Sequence, residues 1–247
     1  MCTAPKRRVT PSANPPYAQQ DCQYAGPLVP SHFRDFTYPG YTNALSFLPH
    51  GCPRFYPTET LFGNWDSPIL LLAKDAAPTA VMRDSVKSDG CGGWRHAQRE
   101  RGDYAGWKTN ERLANLVRAH QLPDPLYGSA TANMLYDDPE WSRSLPGFYS
   151  GPLHDYLVEV LRWVIGNMRN LRAVACIGRE SWYLTAVVLG DRAAAPRARE
   201  YRDQERMLSG SISSRKIVAS AHFHPSRGSR EQWALGWRGL ASVIKQA

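Results

Sequence analysis

The chain has no CxxC pair, no HExxH, no glycine-rich phosphate loop, no internal repeat and no long apolar run, and each absence removes a class of protein. Its five cysteines, Cys2, Cys22, Cys52, Cys91 and Cys176, are scattered, which argues against a zinc ribbon and gives no disulfide framework. A reducing compartment suits them. With Cys2 and Cys22 in a tail and Cys176 in a predicted strand, no iron–sulfur cluster is expected. The longest apolar stretches, such as Ile69 to Ala73, fall far short of the ~20 residues of a membrane-spanning helix, and the N-terminus lacks a signal-peptide apolar core. The expectation is a soluble, intracellular (cytoplasmic) protein without a membrane partner.

What is present is enough for one large domain. The 247 residues are 43% apolar, ordinary for a globular chain with a sizeable core. Lysine and arginine number 30 against 22 acidic residues, giving a formal charge of +8 and an isoelectric point near 9.4. Such a balance favours a polyanionic partner through long-range attraction. Residues 1–30 combine Lys6-Arg7-Arg8 with repeated proline, serine and glutamine, a composition with too little apolar surface to offset chain ordering. They are read as a flexible tail, and residues 31–247 as a single domain, expected to be a monomer.

From about His32 to Phe62 aromatic residues and prolines alternate, in a segment expected to pack on the domain. Ile69 to Leu72 is a short continuous apolar run, the pattern of a strand covered on both faces. Leu113, Leu116 and Val117 fall at helical spacing before a turn at Leu122-Pro123-Asp124-Pro125. Ser129 to Leu135 reads as a second, more polar strand. Leu157, Val160, Leu161, Val164, Ile165 and Met168 form the clearest helical stripe. Ala173 to Ile177 gives a third strand closed by Gly178, Ser181 to Leu189 a helix, and Arg192 to Ser214 a charged connector. Ile217 to Ala221 is the fourth strand, and Trp233, Trp237 and Leu240 share one face of the last helix. Strand–helix alternation predicts an α/β fold, a three-layer αβα sandwich around a mostly parallel four-stranded sheet.

In such sheets ligands bind beyond the carboxyl ends of the strands. Asp75, in Leu71-Leu72-Ala73-Lys74-Asp75-Ala76-Ala77-Pro78, follows the first strand, and His224, in Ala221-His222-Phe223-His224-Pro225-Ser226, follows the fourth. Alone, either is more often a turn or capping residue. Between them stands Ala130-Thr131-Ala132-Asn133-Met134-Leu135. In order and spacing the three segments resemble the motifs of the uracil-DNA glycosylase superfamily. There a first strand ends in a Gly-Gln-Asp-Pro-Tyr loop, a later strand ends in His-Pro-Ser-Pro, and an asparagine between them reads uracil.

The resemblance implies a base-excision repair enzyme. It would hydrolyse the N-glycosidic bond of uracil in DNA, as a monofunctional glycosylase, leaving an abasic site and using no metal or organic cofactor. As that bond stretches, positive charge grows on the sugar and negative charge on the base, so a carboxylate and a hydrogen-bond donor are needed on either side. Asp75 and His224 are implied in those roles. The base is rotated out of the duplex to be read, with Asn133 implied as the reader. Trp107 stands where the family stacks a phenylalanine, with Trp94 and Tyr104 as competitors. Lys74 and Ala77 complete the expected substrate site. Ser226, Arg227, Ser229 and Arg230 are candidate phosphate contacts, which position DNA without specifying sequence.

Several residues depart from the family pattern. Ala73 and Lys74 replace its glycine and glutamine, and Ala77 aligns with the tyrosine that blocks the thymine methyl. Gly228 stands where the best-known members carry an intercalating leucine; Arg227 either substitutes for it or grips phosphate with Arg230. These departures keep two alternatives open: a superfamily glycosylase for another damaged base, or a non-catalytic DNA-binding module that senses damage on the same fold. His222 and His224 form an HxH pair, for which a metal role is the minority reading because no carboxylate or cysteine stands at matching local spacing.

Overall fold

The computed structural model describes residues 27, 29–44, 62–74, 78–80, 115–203, 206–223 and 230–245, with the main chain alone for 62–63 and 230–236. In chain order the elements are α1 (Ser31–Arg34), β1 (Tyr41–Asn43), β2 (Phe62–Gly63), β3 (Ile69–Ala73), helical residues 115–119, β4 (Leu126–Ser129) and β5 (Met134–Tyr136). After a 3-10 turn at Pro139–Arg143 come α2 (Pro152–Asn167), β6 (Ala173–Ile177), α3 (Arg179–Val188) and α4 (Ala198–Asp203). A hairpin of β7 (Met207–Ile212) and β8 (Arg215–His222) leads to α5 (Arg230–Lys245).

The architecture is mixed α/β. The main sheet runs in the order β2-β4-β3-β6-β8-β7, with β4, β3, β6 and β8 mutually parallel and the two edge strands antiparallel. Among the described residues it therefore has six strands where the sequence predicts four. Strands β3 and β6 read as unbroken apolar runs because the period-two alternation sends their side chains into two different cores. Leu70, Leu72, Val174 and Cys176 join a cluster with α2 and α3, whereas Ile69, Leu71, Ala173, Ala175 and Ile177 join one with Val117, Trp237 and Leu240. Helices thus cover both faces. On α2, Leu157, Val160, Leu161, Val164 and Ile165 are all buried, and Met168 caps its carboxyl end.

The predicted strand from Ser129 to Leu135 is corrected. Ser129 ends β4, residues 130–133 turn, and Met134 begins β5, which pairs antiparallel with β1 in a separate two-stranded sheet. The turn is closed by Ala132 N to Ser129 O at 3.0 Å and Met134 N to Thr131 O at 2.9 Å, and Ala132 takes a left-handed φ of 50°. The charged connector likewise contains a strand, β7. Its hairpin turns on Ser213 and Ser214, with φ of 50° and 65°, the double-positive geometry that suits the twist of paired strands. Gly210 in β7 is required by close approach, since a Cβ there would lie 2.7 Å from the Leu189 carbonyl oxygen.

Two side chains tie distant segments together. Arg215, opening β8, reaches the exposed carbonyls at the end of α2, donating to Ile165 O at 2.8 Å, Arg169 O at 3.0 Å and Met168 O. A cation there satisfies orphan carbonyls and complements the helix dipole. Asn43 donates to the carbonyls of Phe33, Arg34 and Phe36 and so shapes the α1 segment, whose Phe33 and Val29 are buried in the core.

Candidate active site at the strand ends

Strand β3 comes first among the parallel strands yet lies between β4 and β6. The chain reaches β4 after the helical residues 115–119 on one face, and passes from β6 to β8 through α3 on the other. In parallel sheets the usual ligand position is the crevice outside the carboxyl ends of such strands, and that region is the candidate site.

Three strand ends frame it. Gly178, directly after β6, takes φ 106°, a conformation that other residues rarely adopt, and its N–H donates to His222 O at 3.3 Å. Toward β3, a Cβ on Gly178 would lie 3.9 Å from Lys74 Cβ and 3.9 Å from Glu180 Oε2. Lys74 is itself anchored, its Nζ donating to the Ser142 carbonyl. Thr79 is anchored as well: its hydroxyl lies 2.8 Å from Asp137 Oδ1 and 3.2 Å from the carbonyls of Leu135 and Tyr136. Lys74 and Thr79, which flank Asp75 in the sequence, are thus both anchored.

A group that sequence reasoning missed stands at the β6 corner. Glu180, 7% exposed, accepts from Arg179 at 3.3 Å and from the Tyr149 hydroxyl at 3.4 Å. Arg179 sits 5.6 Å from the Tyr149 ring centroid, with its side chain 64% exposed. Tyr183 donates to Tyr149 O at 3.2 Å and fixes that loop. Burial, and then the Glu180 charge, hold the Tyr149 hydroxyl above its ordinary pKa, so it stays a donor. The arrangement presents an oriented guanidinium at the rim of the crevice, a shape suited to phosphate. The available signal was a glycine after a buried strand followed by a charged pair opening a helix.

His222, the first histidine of the HxH pair, turns to the α5 face. It is 5% exposed, lies 2.7 Å from Ser220 Oγ through Nε2, and packs 4.9 Å from the Trp237 ring. Burial pushes its pKa down to about 4, so it is neutral at physiological pH.

Asn133 is 0% exposed, with its amide inside the protein: Nδ2 donates to Asn43 Oδ1 at 2.7 Å and Oδ1 accepts from Tyr156 at 2.7 Å. In this conformation a base has no access to it. Its geometry is that of a clamp between the turn after β4, the α1 segment and α2. Asp75, Ala77, Trp107, His224, Ser226, Arg227 and Ser229, with Trp94, Tyr104 and Gly228, lie outside the described residues, as does the side chain of Arg230. Among the described residues no helix is long and apolar enough to cross a membrane.

No protein-family model matches the chain, and none of the curated proteins compared with it matches.

Proposed function

We propose that the chain is a monofunctional glycosylase of the uracil-DNA glycosylase superfamily, a three-layer αβα enzyme that acts on uracil in DNA as a monomer. One observation carries this reading. The parallel strands β3 and β8, which precede the two candidate catalytic residues, end at the same edge of the sheet with only β6 between them. At the usual spacing of neighbouring strands their axes are roughly 10 Å apart. A nucleotide entering between them meets one chain segment on its sugar side and the other on its base side.

In this mechanism the target nucleotide leaves the duplex stack and enters the crevice. Asp75 stabilises the sugar cation and orients water, and His224 donates to the base carbonyl oxygen as charge develops there. Arg179, held by Glu180 and Tyr149, grips a backbone phosphate beside the extruded base. Asn133 acts as a positioning residue, and base recognition falls to other groups at the strand ends.

The test is single-turnover excision on oligonucleotides containing uracil, thymine opposite guanine, hypoxanthine or xanthine, with alkaline cleavage of abasic sites. Uracil excision, reduced ~100-fold or more in both Asp75→Asn and His224→Ala, supports the roles given to these groups. Excision of a different base selects the first alternative. DNA binding without excision of any of the four selects the non-catalytic module.

A further inference from the structure

The mechanism above engages Glu180 through one oxygen only, Oε1, which accepts from Arg179 and from the Tyr149 hydroxyl. Its Oε2 makes no hydrogen bond among the described residues and still meets solvent, although the side chain is only 10% exposed. Buried polar groups are as a rule fully hydrogen-bonded, so a carboxylate oxygen left open in such a setting has capacity for a ligand or a water.

That oxygen stands at the middle of the row of strand ends. Gly178, directly after β6, donates its N–H to His222 O at the end of β8. The point that a Gly178 Cβ would occupy is 3.9 Å from Lys74 Cβ, just beyond β3, and 3.9 Å from Glu180 Oε2. Glu180 Oε2 is therefore set between the strands that precede Asp75 and His224. Lys74 does not neutralise it: the ammonium donates to the Ser142 carbonyl, and no ion pair joins it to Glu180 among the described residues.

Two considerations decide what a carboxylate does there. Its sign opposes the negative charge that grows on a departing base and complements the positive charge that grows on the sugar, an attraction strengthened where water is excluded. Its partner Arg179 is the group assigned to a backbone phosphate, and the sugar is the next unit along that backbone. Building on the glycosylase reading, we propose that Glu180 is a second catalytic carboxylate, whose Oε2 faces the deoxyribose of the extruded nucleotide, stabilises the cation and orients the attacking water. The glycosidic bond breaks with its electron pair leaving on the base, which takes a proton from solvent. The water oxygen bonds to C1′, and the proton it releases passes to Oε2 and on to solvent.

The experiment compares the full chain with Glu180→Gln, which keeps the shape and can still accept from Arg179 and Tyr149 through its amide oxygen. Two readouts are taken: single-turnover excision of uracil, and binding of duplexes that carry either a cationic pyrrolidine or a neutral tetrahydrofuran in place of the target sugar. The pyrrolidine imitates the charged transition state, so a carboxylate facing the sugar makes it the tighter ligand. In Glu180→Gln the excision rate should fall at least ~30-fold and the preference for pyrrolidine at least ~10-fold, with tetrahydrofuran affinity held within about threefold. Retained tetrahydrofuran affinity also shows that the variant is folded. Wild-type excision and an unchanged pyrrolidine preference in Glu180→Gln overturn the proposal alone, as does an equal loss of affinity for both duplexes, which would mean that Glu180 only holds Arg179. A pyrrolidine preference that depends on Glu180 in a protein that leaves uracil in place supports the sugar role and overturns the uracil reading alone. Neither excision nor a pyrrolidine preference in the wild type overturns both.

Discussion

Replacing Asn133 separates a structural clamp from a base reader. In the clamp, two buried hydrogen bonds of 2.7 Å join it to Asn43 and Tyr156. Asn133→Leu keeps the volume and removes both. The Tyr156 hydroxyl keeps Phe33 O at 3.2 Å, whereas Asn43 Oδ1 loses its Asn133 donor in a buried setting. Two net bonds at ~0.5–1.5 kcal/mol each, with ~1–3 kcal/mol for an acceptor deprived of its donor, give a loss of ~2–4 kcal/mol after partial relaxation. For a domain of this size that lowers Tm by about 4–16 °C. Asn43→Ala, at the buried other half of the clamp, should destabilise comparably, and the double variant should lose less than the sum, with a coupling of at least ~1 kcal/mol. Thermal and urea unfolding are read beside uracil and cytosine excision. An Asn133 variant of wild-type stability that has lost uracil selectivity would refute the clamp and return the residue to base reading.

Three further outcomes follow from described contacts. Arg215→Ala should cost ~2 kcal/mol in urea unfolding, because the final carbonyls of α2 lose charge-assisted donors, and Arg215→Lys should recover less than half, since one ammonium cannot replace a planar fork. His222 has a folded pKa of about 4 against an ordinary 6.5, so the folded state binds fewer protons than the unfolded one between those values. The stability that depends on neutral His222 is complete above pH 6.5 and is lost as pH falls toward 4, by roughly 3 kcal/mol in all. Unfolding midpoints of wild type and His222→Asn should therefore converge on acidification; parallel curves would dismiss the role of burial. Arg179→Ala should flatten the logarithmic salt dependence of duplex binding by ~0.9, the equivalent of one phosphate contact, and an unchanged slope would place the DNA path elsewhere.

Continuous apolar runs made β3 and β6 legible, and the stripe from Leu157 to Ile165 made α2 so, because both faces or one whole face of these elements are buried. Strand β4 was misplaced by several residues. Tyr127 and Gly128 interrupt its apolar pattern, while the polar turn at 130–133 resembles an alternating strand. Strand β7 was hidden because only Leu208 of its six residues is fully buried, and its turn uses serines where Asn-Gly is the usual signal. The strand-end positions of Lys74 and Gly178 were readable. The meeting of Tyr149 with Glu180, 31 residues away, was not, for it depends on how α2 and α3 pack. Asn133 illustrates the same limit: a segment can announce a polar residue beyond a strand without disclosing which partners claim its amide.

The clamp on the α1 segment also bears on synthesis. Asn43 meets Asn133 across 90 residues, and Phe33 O accepts from Tyr156 across 123. At the ~5–20 residues per second of translation, the partners of this segment emerge roughly 5–25 seconds after it. Throughout that interval Phe33, Phe36 and Tyr41 lack the α2 and β5 partners against which they end packed. The segment is thus synthesised well before it is sheltered, and slowing translation downstream of Asn43 should increase its capture by chaperones that bind apolar segments.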